Sequence, residues 1–198
     1  MTHTGTFIAL EGLDGSGQST QGKLLKEYFE EQGRNVILTK EPTPDSEAGK
    51  RIRKVLQHEE TLDPFELQKL FAEDRKEHLE HIIMPALERG DIVISDRYYF
   101  STFAMGSVDC DLEKLIELNK DFPHPDMTFI LDVAPKTAIR RVQERGKKAE
   151  YFEVEEKNEK IQETYKNLPN RFENVYIIDS EQSIEAVHQE IVSHVKGA

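Results

Sequence analysis

Short apolar runs alternate with helical patterns from one end of the chain to the other. Phe7–Glu11 reads as a strand leading through a Gly-rich turn into a helix that reaches Gln32. On that helix Leu24, Leu25, Tyr28 and Phe29 recur at helical spacing, and Gly33 stops it. Val36–Thr39, Ile92–Ser95, Phe129–Val133 and Val175–Ile178 read as further strands. Asp63-Pro64-Phe65-Glu66 supplies an N-cap, a proline at the first helical position and a carboxylate two residues on. A long helix should start there and run toward Arg89-Gly90, bent near Pro85. Pro135 opens a helix that Gly146 closes; Glu153–Leu168 and Ile184–Val195 are helical as well. Five short apolar strands separated by helices predict an α/β fold in three layers, a five-stranded parallel sheet covered by helices on both faces. Ligands of such a sheet lie at the carboxyl ends of its strands.

Composition narrows the class. With 198 residues, 37% hydrophobic and 32% charged, and with no repeat, low-complexity tract or linker, residues 1–198 read as one globular domain. The longest apolar runs, such as Met127–Val133, are too short to span a bilayer, and no signal peptide opens the chain. The lone Cys110 cannot form an internal disulfide and fits a reducing compartment; Asp109 and Asp111 beside it should raise its pKa. A net charge of −12 argues against a general nucleic-acid binder, which normally carries a basic face. Small phosphates need only a local donor cluster, and cations do gather at Arg140, Arg141, Arg145, Lys147 and Lys148. That run is also what an ordinary solvated helix C-terminus looks like.

Chemistry concentrates after the first strand. Gly12-Leu13-Asp14-Gly15-Ser16-Gly17-Gln18-Ser19-Thr20 matches the phosphate-loop pattern G-x-x-x-x-G-K-[ST] at every fixed position except the lysine, where Gln18 stands. Gly12, Gly15 and Gly17 let the backbone amides from Gly15 to Thr20 converge on phosphate at a helix N-terminus, and the Ser19 hydroxyl suits Mg²⁺. Gln18 keeps a donor but loses the lysine's point charge. Either the Arg140–Lys148 run closes over the phosphates and restores charge, or the chain binds nucleotide with little turnover.

Other segments should meet this loop. Asp96-Arg97-Tyr98 follows the third strand, offering a carboxylate for Mg²⁺ through water and a guanidinium for phosphate. Phe71 and Arg75, four apart, share one helix face as an aromatic platform beside a donor. Glu41-Pro42 turns at the same rim. His78 and His81 lack a second ligand pair and read as solvent-exposed helix histidines.

Taken together, Leu10–Gly17, Lys40-Glu41-Pro42, Phe71-Ala72-Glu73-Asp74-Arg75, Asp96–Ser101 and Arg145–Lys148 with Phe152-Glu153 resemble the thymidylate kinase family in order and spacing, along essentially the whole chain. The resemblance implies a P-loop kinase fold that moves a phosphoryl group from ATP, with Mg²⁺, to thymidine monophosphate (dTMP), giving dTDP and ADP. It implies a cytoplasmic homodimer whose partners are small nucleotides, with neither nucleic acid nor membrane. By the same resemblance Phe71 would stack on thymine and Arg75 reach its O4. Arg97 would hold the acceptor phosphate and Asp14 contact the acceptor's sugar and phosphate, with Ser101 and Thr102 lining the base pocket. A lid at about 141–152 would bring Arg145, Lys147 and Lys148 over ATP. The departures are Gln18, Lys40 where many members have arginine, Glu150-Tyr151 where many have Asp-Arg, and Met105-Gly106 where an aromatic–Gln pair is common. Met105 leaves another pyrimidine monophosphate open as acceptor.

Overall fold

A computed structural model describes residues 4–144 and 151–196. Arg145, Lys147, Lys148 and the helix stop expected at Gly146 lie outside the described residues. Five parallel strands, β1 (Thr6–Gly12), β2 (Val36–Lys40), β3 (Ile92–Asp96), β4 (Met127–Asp132) and β5 (Val175–Asp179), form one sheet in the order β2-β3-β1-β4-β5. Each lies within two residues of the span its apolar run predicts.

Inner strands are buried on both faces, and the pleat divides their side chains between two cores. Ile8, Leu10, Ile92, Ile94, Phe129 and Leu131 face α1 (Gln18–Glu30) and α9 (Ile184–Val195) through Leu25, Phe29, Val187 and Ile191. Phe7, Ala9, Val93 and Ile130 point the other way, into a cluster with Leu79, Phe100, Phe103 and Tyr165. The α1 helix closes as Gly33 predicts. Gly33 has φ 74°, and its N–H and that of Arg34 bond to Glu30 O (2.9 Å) and Phe29 O (3.1 Å).

The long helix is divided. α3 (Pro64–His78), whose N-cap Asp63 accepts from the Phe65 and Glu66 amides, passes through a π turn (Leu79–Ile83) into α4 (Met84–Glu88). Pro85 has no N–H, and its ring would press on the His81 carbonyl four residues back, so the preceding turn widens. α2 (Glu47–Leu56), α5 (Tyr99–Gly106) and α6 (Leu112–Asn119) fall where the apolar pattern predicts no element. α2 and α6 start at the caps Ser46 and Asp111, whose side chains accept from Gly49 N (2.7 Å) and Lys114 N (3.1 Å). α7 (Pro135–Glu144) and α8 (Tyr151–Asn167) complete the cover.

From β1 the chain builds β2 and β3 on one side, then crosses to β4 and β5 on the other. The carboxyl end of β1, Gly12, is therefore the topological switch point, flanked by Asp96 and Asp132. Among the described residues no helix is long and apolar enough to cross a membrane.

Candidate active site

The loop at the switch point is shaped by its glycines. Gly12 (φ 141°) and Gly15 (φ 92°) lie in the left-handed half of backbone space, which L side chains rarely adopt. A Cβ on Gly12 would meet Leu131 O at 2.7 Å, and one on Gly15 would meet Ala138 O at 2.5 Å. Ser180, after β5, donates to Ser16 O (2.5 Å) and accepts at its own carbonyl from Arg141 (3.0 Å), so a member of the basic run braces the loop. α1 opens directly behind, with no acidic residue in its first turn to compete with a bound anion.

Gln18 does not extend outward as a P-loop lysine would. It is buried; its amide donates to Gly12 O (3.0 Å) and its carbonyl accepts from the Ser16 hydroxyl (2.9 Å). The side chain clips the loop to itself. Thr20, in the first turn of α1, donates its amide to Gly17 O (3.0 Å).

Asp96, predicted with Ser19 to serve a metal, accepts from the Ser19 hydroxyl at 2.6 Å. Two oxygen donors side by side at a phosphate loop fit Mg²⁺, which takes one or two protein oxygens and completes its shell with substrate phosphate and water. Among the described residues no cluster of three or more His, Cys, Asp or Glu side chains offers an alternative cage.

Arg97 is the hub of the hydrogen bonds beside the phosphate loop. Its φ of 77° turns the chain sharply out of β3. Nη1 donates to Gly12 O (2.9 Å) and Ser101 Oγ (3.0 Å) and lies 3.8 Å from Met105 Sδ, while Nη2 donates to Asp14 (2.8 Å). The Gly12 carbonyl thus serves Arg97 and Gln18 together. Burial opposes the guanidinium charge, yet Tyr165, Asp14, Glu11 and Asp96 outweigh it and raise the pKa. The Asp14 side chain is 84% exposed against 15% for Arg97, so the arginine is the fixed partner and the aspartate the displaceable one.

Beneath Arg97 lies Glu11, absent from the predicted site and fully buried. It accepts from Tyr98 N (2.8 Å), Ser101 Oγ (2.5 Å) and Tyr165 OH (3.1 Å). Ser101, expected at the base, stands between Glu11 and Arg97. Burial raises the Glu11 carboxyl from 4.5 to about 7, against the lowering effects of Ser101, Arg97, Tyr98 and Tyr165. The folded chain therefore holds a proton that the unfolded chain releases between pH 4.5 and about 7. Stability falls as pH rises through that window, by a total of roughly 3 kcal/mol, and is level above it. Glu11→Gln, with an amide that can serve both the Tyr98 N–H and the hydroxyls, should flatten this part of the profile. Thermal melts from about pH 5 to 8 test this; a parent and variant that track each other throughout would remove Glu11 as the cause.

Around Arg75 runs a buried polar chain. Arg75 donates from Nε to Glu41 Oε2 (2.9 Å), from Nη1 to Asn119 (2.5 Å) and from Nη2 to Thr102 (3.3 Å), and lies over the Tyr98 ring at 5.2 Å. Phe71, one turn earlier on α3, packs against Ala48, Ile52 and Leu70. Asp74 ties the Glu41-Pro42 turn to α3 by accepting from Thr43 N (2.9 Å) and Oγ1 (2.5 Å). His78 corrects its sequence reading. Its side chain is wholly buried against Glu41 and Thr39, because the helix face it shares with Asp74 and Arg75 turns onto the end of β2. Of the two histidines, His78 and His81, the second alone is exposed. Glu11 had a signal in sequence, a carboxylate inside an apolar strand; Asn119 and Tyr165 had none. Cys110 has its pKa raised by burial and by Asp109, one of the two expected neighbours, with Asp63 adding to them.

Comparison with known proteins agrees with this geometry. The family model described as thymidylate kinase matches residues 10–191. A probable thymidylate kinase of Pyrococcus horikoshii is 43% identical, covering 97% of this chain and 96% of its own. One from Thermococcus gammatolerans is 41% identical over the same shares, and the thymidylate kinase of Desulfotalea psychrophila is 36% identical over 97% and 95%. With the phosphate loop hydrogen-bonded to the Asp96-Arg97 corner, Glu41 N bonded in turn to Asp96 O, and a match along nearly its whole length, the chain belongs to the thymidylate kinase family.

Proposed function

We propose that the protein transfers a phosphoryl group from ATP to dTMP, giving dTDP and ADP. One observation carries the reading: Arg97 touches the phosphate loop at Gly12 O and Asp14 while Asp96, its neighbour, touches Ser19. Groups suited to the donor phosphates and to the acceptor phosphate therefore belong to one hydrogen-bonded cluster. Phosphoryl transfer asks for in-line positioning and charge neutralisation more than covalent chemistry. The acceptor phosphate takes the Arg97 N–H that Asp14 accepts in its absence. A monophosphate is already an anionic nucleophile, so no general base is assigned. Loop amides and the α1 N-terminus hold the donor phosphates. Ser19 and Asp96 would hold Mg²⁺, which would supply charge neutralisation at the donor phosphates.

The reading extends to one P-loop kinase domain over 1–198, with a lid at about 141–152 carrying Arg145, Lys147 and Lys148. It extends also to a cytoplasmic homodimer that handles free nucleotides, neither nucleic acid nor membrane. The family resemblance, the net charge of −12 and the lone cysteine support it. The test is dTDP formation by purified protein with ATP, Mg²⁺ and dTMP. Transfer to dUMP, UMP or dCMP in preference would displace dTMP as the acceptor. Asp96→Asn should raise the Mg²⁺ concentration for half-maximal rate by about tenfold, the scale of losing a metal's protein support. A Mg²⁺ titration that superimposes on the parent would remove Asp96 from the metal.

A further inference from the structure

His78 lies outside the phosphate cluster, yet it is fully buried and has a polar partner on each ring nitrogen. Nδ1 faces Glu41 Oε1 at 3.1 Å and Nε2 faces Thr39 Oγ1 at 2.6 Å. The other oxygen of Glu41, Oε2, takes Arg75 Nε at 2.9 Å, with Nη2 2.8 Å away. An ionised carboxylate only accepts, so Nδ1 carries the hydrogen; Nε2 then accepts from the Thr39 hydroxyl. If the ring is doubly protonated, Nε2 donates to that hydroxyl instead, and the Glu41 bond is the same. The imidazole is thus a fixed strut between β2 and the carboxylate in either state.

What the strut fixes is the direction of a guanidinium. Glu41, Asn119 and Thr102 hold Arg75 from three sides, and Nη1, with two hydrogens, spends one on Asn119. No hydrogen bond among the described residues uses the second Nη1 N–H, and with the side chain 2% exposed a ligand acceptor would have to enter this buried cluster to reach it. Thymine and cytosine differ at C4, a carbonyl acceptor in one and an amino donor in the other. A guanidinium has donors only, so a rigidly aimed Arg75 admits the first and rejects the second.

We infer that His78 is a positioning residue for base selection, acting through Glu41 to hold Arg75 on the C4 carbonyl of the acceptor base. This rests on the dTMP kinase reading and adds to it a residue that touches no substrate. The experiment is steady-state kinetics with dTMP and dCMP on the full chain carrying His78→Leu, His78→Asn, Thr39→Val or Arg75→Lys, with a thermal melt of each. His78→Leu should raise KM for dTMP by about tenfold and lower the dTMP/dCMP ratio of kcat/KM by a similar factor. Its kcat for dTMP and KM for ATP should stay within about twofold of the parent. Asparagine keeps an N–H near the Nδ1 position, so His78→Asn should recover most of both losses. Thr39→Val, working from the far side of the ring, should move both quantities the same way by about two- to threefold, and it carries the test should the leucine chain not fold.

A lower melting temperature or lower kcat in the His78 and Thr39 variants, with KM for dTMP and the base ratio unchanged, would make His78 a folding residue and overturn the inference. If Arg75→Lys loses the base ratio while the His78 and Thr39 variants keep it, the inference fails and the dTMP reading stands. A parent protein that does not prefer dTMP over dCMP overturns both.

Discussion

Arg97→Ala is expected to lower kcat/KM for dTMP by about a thousandfold, the largest single loss available in this site. The guanidinium is held against Gly12 O, Ser101 and Asp14, and its Nη2 hydrogen bond ends on a carboxylate that is mostly in solvent. An incoming phosphate replaces that carboxylate with little reorganisation of the arginine. Removing a preorganised donor from developing charge costs about 10²–10³ in rate, and here a full positive charge goes with it. Arg97→Lys keeps the charge and loses the fork, so it should fall between, about a hundredfold down. Both replacements keep an L side chain at φ 77°, so neither adds backbone strain to what arginine already bears. Steady-state kinetics with varied dTMP decide the matter. A loss below about tenfold in Arg97→Ala, with the fold intact, would place the acceptor phosphate elsewhere.

Gln18→Lys should act in the opposite direction, raising kcat by about ten- to a hundredfold with KM for dTMP little changed. The glutamine amide is satisfied inside the loop by Gly12 O and the Ser16 hydroxyl, so its fixed contacts turn inward and it brings no charge to the donor phosphates. A lysine there cannot accept from Ser16, but its stem is longer and its ammonium adds a unit charge on the phosphoryl path. A gain of about 1.4–3 kcal/mol in transition-state stabilisation corresponds to that rate increase. The gain should appear in kcat and in ATP kinetics, because Arg97, the proposed holder of the acceptor phosphate, is a separate side chain. An unchanged kcat would mean that cations outside the loop already neutralise the transferred phosphate. A fall in kcat would mean that the internal clip through Gln18 matters more to loop shape than a lysine's charge does to transfer.

The strands and the phosphate loop were legible because their signals are local. A run such as Ile92-Val93-Ile94 is apolar at successive positions, short and β-branched, as a strand covered on both faces requires. The glycines at 12, 15 and 17 announce a loop whose backbone must turn where side chains cannot. Legibility faded where a role depends on another segment. His78 reads as an ordinary histidine on a charged helix; only the packing of α3 over the end of β2 buries it between Glu41 and Thr39. Asn119 and Tyr165 come from distant helices and enter the site through hydrogen bonds, to Arg75 and to Glu11 and Ser101, that no periodicity encodes.

The sequence by itself determined the layered fold, through apolar runs that alternate with helical patterns along the chain. It also determined the phosphate loop, the missing lysine and the Asp96-Arg97 corner, each through spacing within its own strand–turn–helix unit. The tertiary structure alone decided which way Gln18 faces, that Ser19 meets Asp96, that Glu11 sits uncompensated enough to keep its proton toward about 7, and that Arg75 is braced through Glu41 by His78. The physical reason is common to all four. Hydrogen-bond direction and desolvation depend on what closes over a side chain, and here the closing groups come from strands and helices far apart in the chain.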